Sequence, residues 1–193
     1  MSLAVKLALG IGLAVLALLV LTTLVIRGRP QTPSPSSRKD VYLGLRDQIL
    51  RLSHEKCGLP ATAAPTEPCA VLMDWGVSSG TATVVAVADG TVSVYLSSGG
   101  GSIGGGQSHA AIREAGRKFL DLAKGSLSKM QKTTDYPLPD KGQVYFYVRT
   151  DAGVFTARAS QEELSAHRNP FSALGDAAQE IITQYRQIPS TSR

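Results

Sequence analysis

The sequence predicts an α+β domain carried on an N-terminal transmembrane helix. Three observations predict it: an uncharged run of twenty residues from Leu7 to Ile26, two regions of strand alternation folded back at tight turns, and three segments with apolar residues at helical spacing. At about 1.5 Å per residue the run spans roughly 30 Å, the thickness of a bilayer's hydrocarbon core. It ends Thr22-Thr23-Leu24-Val25-Ile26-Arg27, without the small-x-small site of a cleaved signal peptide. Residues 1–28 are therefore read as a retained, single-pass signal anchor with a basic flank, and the lipid bilayer is the first partner, through residues 7–26.

Charge sharpens this division. The 193 residues carry 20 Lys and Arg against 15 Asp and Glu, a formal +5, and the whole excess lies before position 40 in Lys6, Arg27, Arg29, Arg38 and Lys39. Residues 40–193 are neutral. Nothing in them supplies the basic field that nucleic acid requires, so that partner class is set aside. The flanks of the apolar run are nearly matched, and the positive-inside rule leans toward a cytoplasmic carboxyl domain. Cys57 and Cys69 leave two readings open: a disulfide in an oxidising compartment, or free thiols in a cytosolic Pro-rich connector. The cytoplasmic lean carries reduced thiols with it. Zinc is a poorer reading, because His54-x-x-Cys57 lacks a second closely spaced pair.

Residues 29–39, with Pro30, Pro33 and Pro35 among Ser and Thr, read as an extended tether, and 40–193 as the α+β domain. Tyr42, Leu45, Ile49 and Leu52 predict a helix over 41–54, with Asp40 as its N-cap and Arg46, Asp47 and Arg51 on other faces. Strands are expected at Ala70 to Gly76, Thr81 to Ala88 and Thr91 to Leu96, the last two joined at Asp89-Gly90. A Gly/Ser loop follows, then a helix over 108–131 built on Ile112, Ala115, Phe119, Ala123 and Leu127 and weakened by Gly125. A second hairpin runs through Val144, Phe146 and Val148, turns at Asp151-Ala152-Gly153 and returns through Val154 to Ala159. Ser160-Gln161-Glu162-Glu163 reads as a capping box for a short helix. Asn169 as cap and Pro170 at the first helical position open a last helix through Leu174, Ala178, Ile181, Tyr185 and Ile188, and Pro189 limits its continuation.

Hairpins between helices predict one antiparallel sheet packed by about three helices. In element order, over residues 40–188 and in topology alone, the chain resembles the roadblock, longin and profilin-like folds. The resemblance implies a small sheet between helices that binds a partner; no functional residue is carried over, since fold alone does not establish function.

The chemistry-bearing candidates are few. Gly99-x-Gly101-x-x-Gly104 has the spacing of a dinucleotide fingerprint, but it follows a hairpin strand and lacks the acidic residue and parallel strand of that unit. No Gly-Lys-Ser or Gly-Lys-Thr follows for a Walker loop. The best constellation is Gly104, Gly105, Gly106, Ser108, His109 and Arg113, where glycine exposes the backbone at a helix start and Arg113 is the first base after Lys56. Valine at Gly104 and Gly105 is expected to block a ligand there and leave the fold nearly intact. The bases from Arg113 to Lys132 read as a solvated helix face or as a basic surface for acidic lipid or protein. Asp74 beside Trp75 is either a perturbed carboxylate or a hydrogen-bonded strand-end Asp. The three histidines are scattered, and no nucleophile elbow or zinc pair occurs, so the reading leans away from an enzyme and implies neither cofactor nor metal. The function read from the sequence is a membrane-anchored protein-binding or adaptor module with an unidentified protein partner. The alternative is a sensor or enzyme binding an anionic small ligand at the Gly-rich loop 99–106.

Overall fold

The structure is a computed structural model that describes residues 34–188. The predicted anchor and the first part of the tether lie outside the described residues, as does Pro189. Among the described residues, no helix is long and apolar enough to cross a membrane.

Alternating apolar residues build a sheet buried on both faces. In chain order the elements are α1 (Pro35–Leu50), β1 (Ala70–Val77), β2 (Gly80–Val87), β3 (Val92–Leu96), β4 (Gly101–Ser102), α2 (Gly105–Ser108), α3 (Ala110–Ser126), β5 (Gln131–Thr133), β6 (Gln143–Thr150), β7 (Gly153–Ser160), α4 (Gln161–Ser165) and α5 (Ser172–Gln187). The seven strands lie in the order β4-β3-β2-β1-β6-β7-β5, with every neighbouring pair antiparallel. The α+β class and the antiparallel sheet are as the sequence predicts.

Period two decides which residue meets which layer. Val71 and Met73 of β1, Val84 and Ala86 of β2 and Phe146 and Val148 of β6 pack beneath α3 and α5, against Ile112, Phe119, Leu174 and Ile181. Ala70 and Leu72, Val85 and Val87, and Tyr147 face the other way, toward Tyr42 and Leu50 of α1 and the two cysteines. Gly116 lets α3 approach β3 closely, since a Cβ there would collide with Val92.

Several boundaries differ from the sequence expectation. The first helix begins at Pro35, whose missing N–H costs nothing in a first turn, so residues 35–39 leave the tether and Asp40 lies inside the helix. Arg46 sits on the inward row with Tyr42 and Leu50 and is 5% exposed. The expected helix over 108–131 is three pieces: α2, an extended His109 (φ −127°, ψ 112°), and α3, which yields after Ser126 to a 3₁₀ turn and β5. Gln131 to Thr133 pair with β7, and this pairing outweighs the helical spacing that Leu127 continued. The last helix starts at Ser172, because the Asn169 side chain accepts from the Phe171 N–H (3.0 Å) in a turn that precedes it. The capping box at Ser160 and Glu163 forms in full.

Cys57 and Cys69 are joined as a disulfide, with Cα atoms 5.6 Å apart, within the ordinary range. The reduced pair expected with a cytoplasmic domain is replaced by a buried cross-link that pins the Pro-rich loop under the sheet. His54 adds a second clasp on that loop, with Nε2 2.9 Å from the Pro60 carbonyl and Nδ1 2.7 Å from Asp151 in the β6–β7 turn.

Candidate functional site

The glycine loop is built into the fold more tightly than its composition suggests. Gly104 takes the left-handed conformation (φ 73°) and donates its N–H to the buried Ser93 hydroxyl at 3.1 Å. The Gly105 N–H donates to the Tyr185 hydroxyl at 2.9 Å, and that hydroxyl donates onward to the Val92 carbonyl at 2.6 Å. Burial pushes the Tyr185 phenol above its ordinary range, opposed by the Gly105 N–H. Two of the amides expected to hold an anion are therefore spent inside the protein. The Gly106 carbonyl accepts from Arg113 at 3.0 Å, while Ser108 and His109 are exposed where α3 starts. A Cβ on Gly105 would collide with the Tyr185 ring, so valine there disturbs the α5 anchor instead of leaving the fold intact.

Beside this loop, a cleft of about 240 Å³ lies between α3 and the β2–β3 turn. Val92, Gly116 and Leu120 line it together with Arg113, Arg117 and the carboxylate-bearing Asp89. Arg117 is already engaged by Glu114 and Asp121, as the sequence spacing suggests for Asp121. The structure thus brings together Gly106 and Arg113 with Arg117, and turns Gly104 and Gly105 to structural work.

The most deeply buried carboxylate lies on the opposite face of the sheet. Asp74 is mid-strand and 0% exposed; it accepts from Arg46 Nε at 2.7 Å and from the Thr83 hydroxyl at 2.6 Å. Burial pushes its carboxyl above the usual carboxylate range, with Arg46 and Thr83 pulling the other way. Arg46 also donates to the Tyr136 carbonyl at 3.0 Å and lies over the Tyr147 ring, and the Tyr42 hydroxyl bonds Thr83 at 2.8 Å. Strand register extends this cluster into one row across the sheet: Tyr95, Thr83, Asp74, Tyr145 and Arg158 are successive cross-strand partners. Sealed beneath α1, Asp74 has no path to a substrate, and the row serves to fix α1 on the sheet. Among the described residues, no group of three or more His, Cys, Asp or Glu side chains is placed to hold a metal ion.

The row ends at a feature that the sequence did not single out. At the β5 edge a groove of about 480 Å³ is lined by Lys129, Lys132 and Arg158 with Gln131, Thr156 and Phe171 among its walls, and no carboxylate lines it. Lys129 and Lys132 were within reach of the sequence as bases near a helix end. Their place at this edge depends on β5 pairing with β7: Lys132 stands opposite Phe155 and reaches toward Gly153, on the sheet face opposite Arg158, whose guanidinium lies over the Tyr145 ring.

Compared with known proteins, the chain matches no family model, no curated protein and no solved structure.

Proposed function

We propose that the chain is a membrane-tethered protein-binding module: the apolar run 7–26 holds it at a bilayer, and the α+β domain recognises a protein partner. The observation that carries this reading is where exposed chemistry remains. Helices and the cysteine loop cover both faces of the sheet, its one fully buried carboxylate is committed to Arg46, and exposed bases remain at the β5 edge and along α3. Such a surface suits recognition better than bond-making. The element order shared with roadblock, longin and profilin-like folds points the same way, by analogy alone.

The compartment enters the proposal as well. The Cys57–Cys69 disulfide supports a domain facing an oxidising compartment, with Lys6 and the amino terminus on the cytoplasmic side, against the small lean of the flanking charges. Thiol labelling of intact cells decides between them. Both cysteines should label only after reduction; labelling without reductant puts the domain in the cytosol.

Fractionation and a ligand screen test the function. The full-length protein should remain in membranes after high-salt and alkaline washes, and recovery in the soluble phase removes the anchor. Nucleotides, phosphates and carboxylates should leave its thermal stability unchanged. A ligand at a hundredfold excess over its dissociation constant would add about 2.7 kcal/mol. A response of that size, lost on Arg113→Glu, would favour the small-ligand alternative at loop 99–106, which draws its support from Arg113 and Arg117 in the adjoining cleft.

A further inference from the structure

We infer that the β4 edge of the sheet joins two copies of the chain, β4 against β4, about a two-fold axis normal to the sheet. The inference rests on the membrane-tethered reading, which supplies confinement, and adds to it a surface and the partner that fits it. Three observations carry it.

The first is an unguarded edge. Proteins blunt their edge strands against pairing with another chain, above all with lysine. The β5 edge follows that rule, with Lys132 in the strand and Lys129 just before it. The β4 edge does not: no charged residue occurs from Ser97 to Ser108, and residues 100–103 are exposed in succession. Ile103, at 66%, is the most exposed large hydrophobic side chain among the described residues.

The second is an open main chain. The Leu96 N–H donates to the Gly100 carbonyl at 3.1 Å, and the register sets Ser102 opposite Val94. Backbone groups alternate between the two sides of an antiparallel strand. Gly100 and Ser102 therefore face β3, and alternation directs the N–H and C=O of Gly101 and Ile103 outward. No further strand lies on that side, since β4 ends the sheet.

The third is self-complementarity. With the two-fold axis at Ser102, Gly101 of each copy stands opposite Ile103 of the other, and each such pair exchanges N–H···O=C bonds. The exposed Ile103 side chain then lies across from a residue that has none. Gly101 is bound to be glycine, since its φ is 139° and a Cβ would collide with the Val94 carbonyl. The same axis keeps both copies of α1 on one face of the joined sheet. Both tethers continue from α1, so they start on that common face, as two anchors in a single bilayer require. Three residues from each copy bury less than the roughly 1,200 Å² of a free-standing complex, and confinement to the bilayer compensates through effective concentration.

The test is cysteine crosslinking of the full-length chain in isolated cell membranes, under a mild oxidant that leaves the buried Cys57–Cys69 disulfide intact. At the axis the two copies of residue 102 form a non-hydrogen-bonded pair with Cα atoms about 4.5 Å apart, within disulfide range. Ser102→Cys should therefore give a covalent dimer at least about tenfold faster than Lys118→Cys, on the exposed face of α3, which meets its counterpart only by collision. Adding Ile103→Lys to Ser102→Cys should slow the link about tenfold, because the axis doubles the loss of one cross-strand pair and places a lysine on the edge. Ile103→Val should leave it within about twofold. Trp75 fluorescence verifies that each variant is folded. A Ser102→Cys link no faster than that of Lys118→Cys, a link indifferent to Ile103→Lys, or a link chiefly to a different protein each overturns the paired edge. The last of these leaves the binding module standing. An alkaline wash separates the levels of inference: protein retained in membranes without the link removes the edge alone, and protein released from them removes the tether and, with it, the confined pair.

Discussion

Replacing Asp74 by Ala should cost about 3 to 5 kcal/mol of folding stability, the range found when one partner of a buried ion pair is removed. The magnitude follows from what stays behind. Arg46 is 5% exposed with its guanidinium 2.7 Å from the lost carboxylate, and the Tyr136 carbonyl and Tyr147 ring retain only part of its solvation. The Thr83 hydroxyl loses its acceptor in the same step. Against a typical total of about 5 to 15 kcal/mol, a loss of this size lowers the melting temperature by roughly 10 °C. The chain's single tryptophan, Trp75, adjoins the site in β1 and reports unfolding directly, so guanidinium titration of the full-length protein in mild detergent gives the difference. Asp47→Ala, which breaks the exposed Asp47–Arg51 pair, should cost less than about 1 kcal/mol and serves as the control. Removing both charges together, Arg46→Met with Asp74→Leu, should recover much of the loss, because no buried charge is then left unpaired. The reasoning fails if Asp74→Ala costs no more than Asp47→Ala, or if the double variant is less stable than the single one.

Other outcomes follow from the same contacts. Burial, with the Asp74 charge adding to it, pushes the Tyr42 phenol up to about 12. The neutral form is thus favoured in the fold, and the stabilisation, present below pH 10, is lost as pH rises through 12, by about 3 kcal/mol for a two-unit rise. Tyrosinate absorbance should therefore climb together with loss of the folded Trp75 signal; full ionisation of a still-folded protein would contradict the burial. Cys57→Ser with Cys69→Ser should destabilise by about 3 kcal/mol through the opened loop, and an unchanged denaturation midpoint would show that the cross-link constrains nothing. Gly105→Val should cost about 1 to 3 kcal/mol by overpacking against the Tyr185 ring, and Tyr185→Ala should remove most of that added penalty without restoring wild-type stability. Equal stability of Gly105→Val and wild type would return the loop to the status of a free connector.

Sequence alone determined the elements whose signals are local. The Asp89-Gly90 and Asp151-Ala152-Gly153 turns, the alternation of Val144, Phe146 and Val148, and the Ser160–Glu163 capping box each act over a few residues and appear in the fold where the pattern places them. Tertiary structure decided what depends on distant partners. Arg46 reads as an outward charge on a helix, and only a fully buried Asp74, 28 positions away, turns it inward. An acid embedded in the apolar run Ala70 to Trp75 was the visible hint, because a buried carboxylate requires a cation or several donors. Gln131, the last residue of the expected helix, forms a strand with Lys132 and Thr133 only because β7 offers an edge. The glycine loop misled for the same reason: its amides look free in the sequence, while the hydroxyls that claim them belong to Ser93, on a strand, and Tyr185, eighty residues on. The groove at the β5 edge is likewise a product of strand order, since nothing local to Gln131 or Thr156 brings the two together.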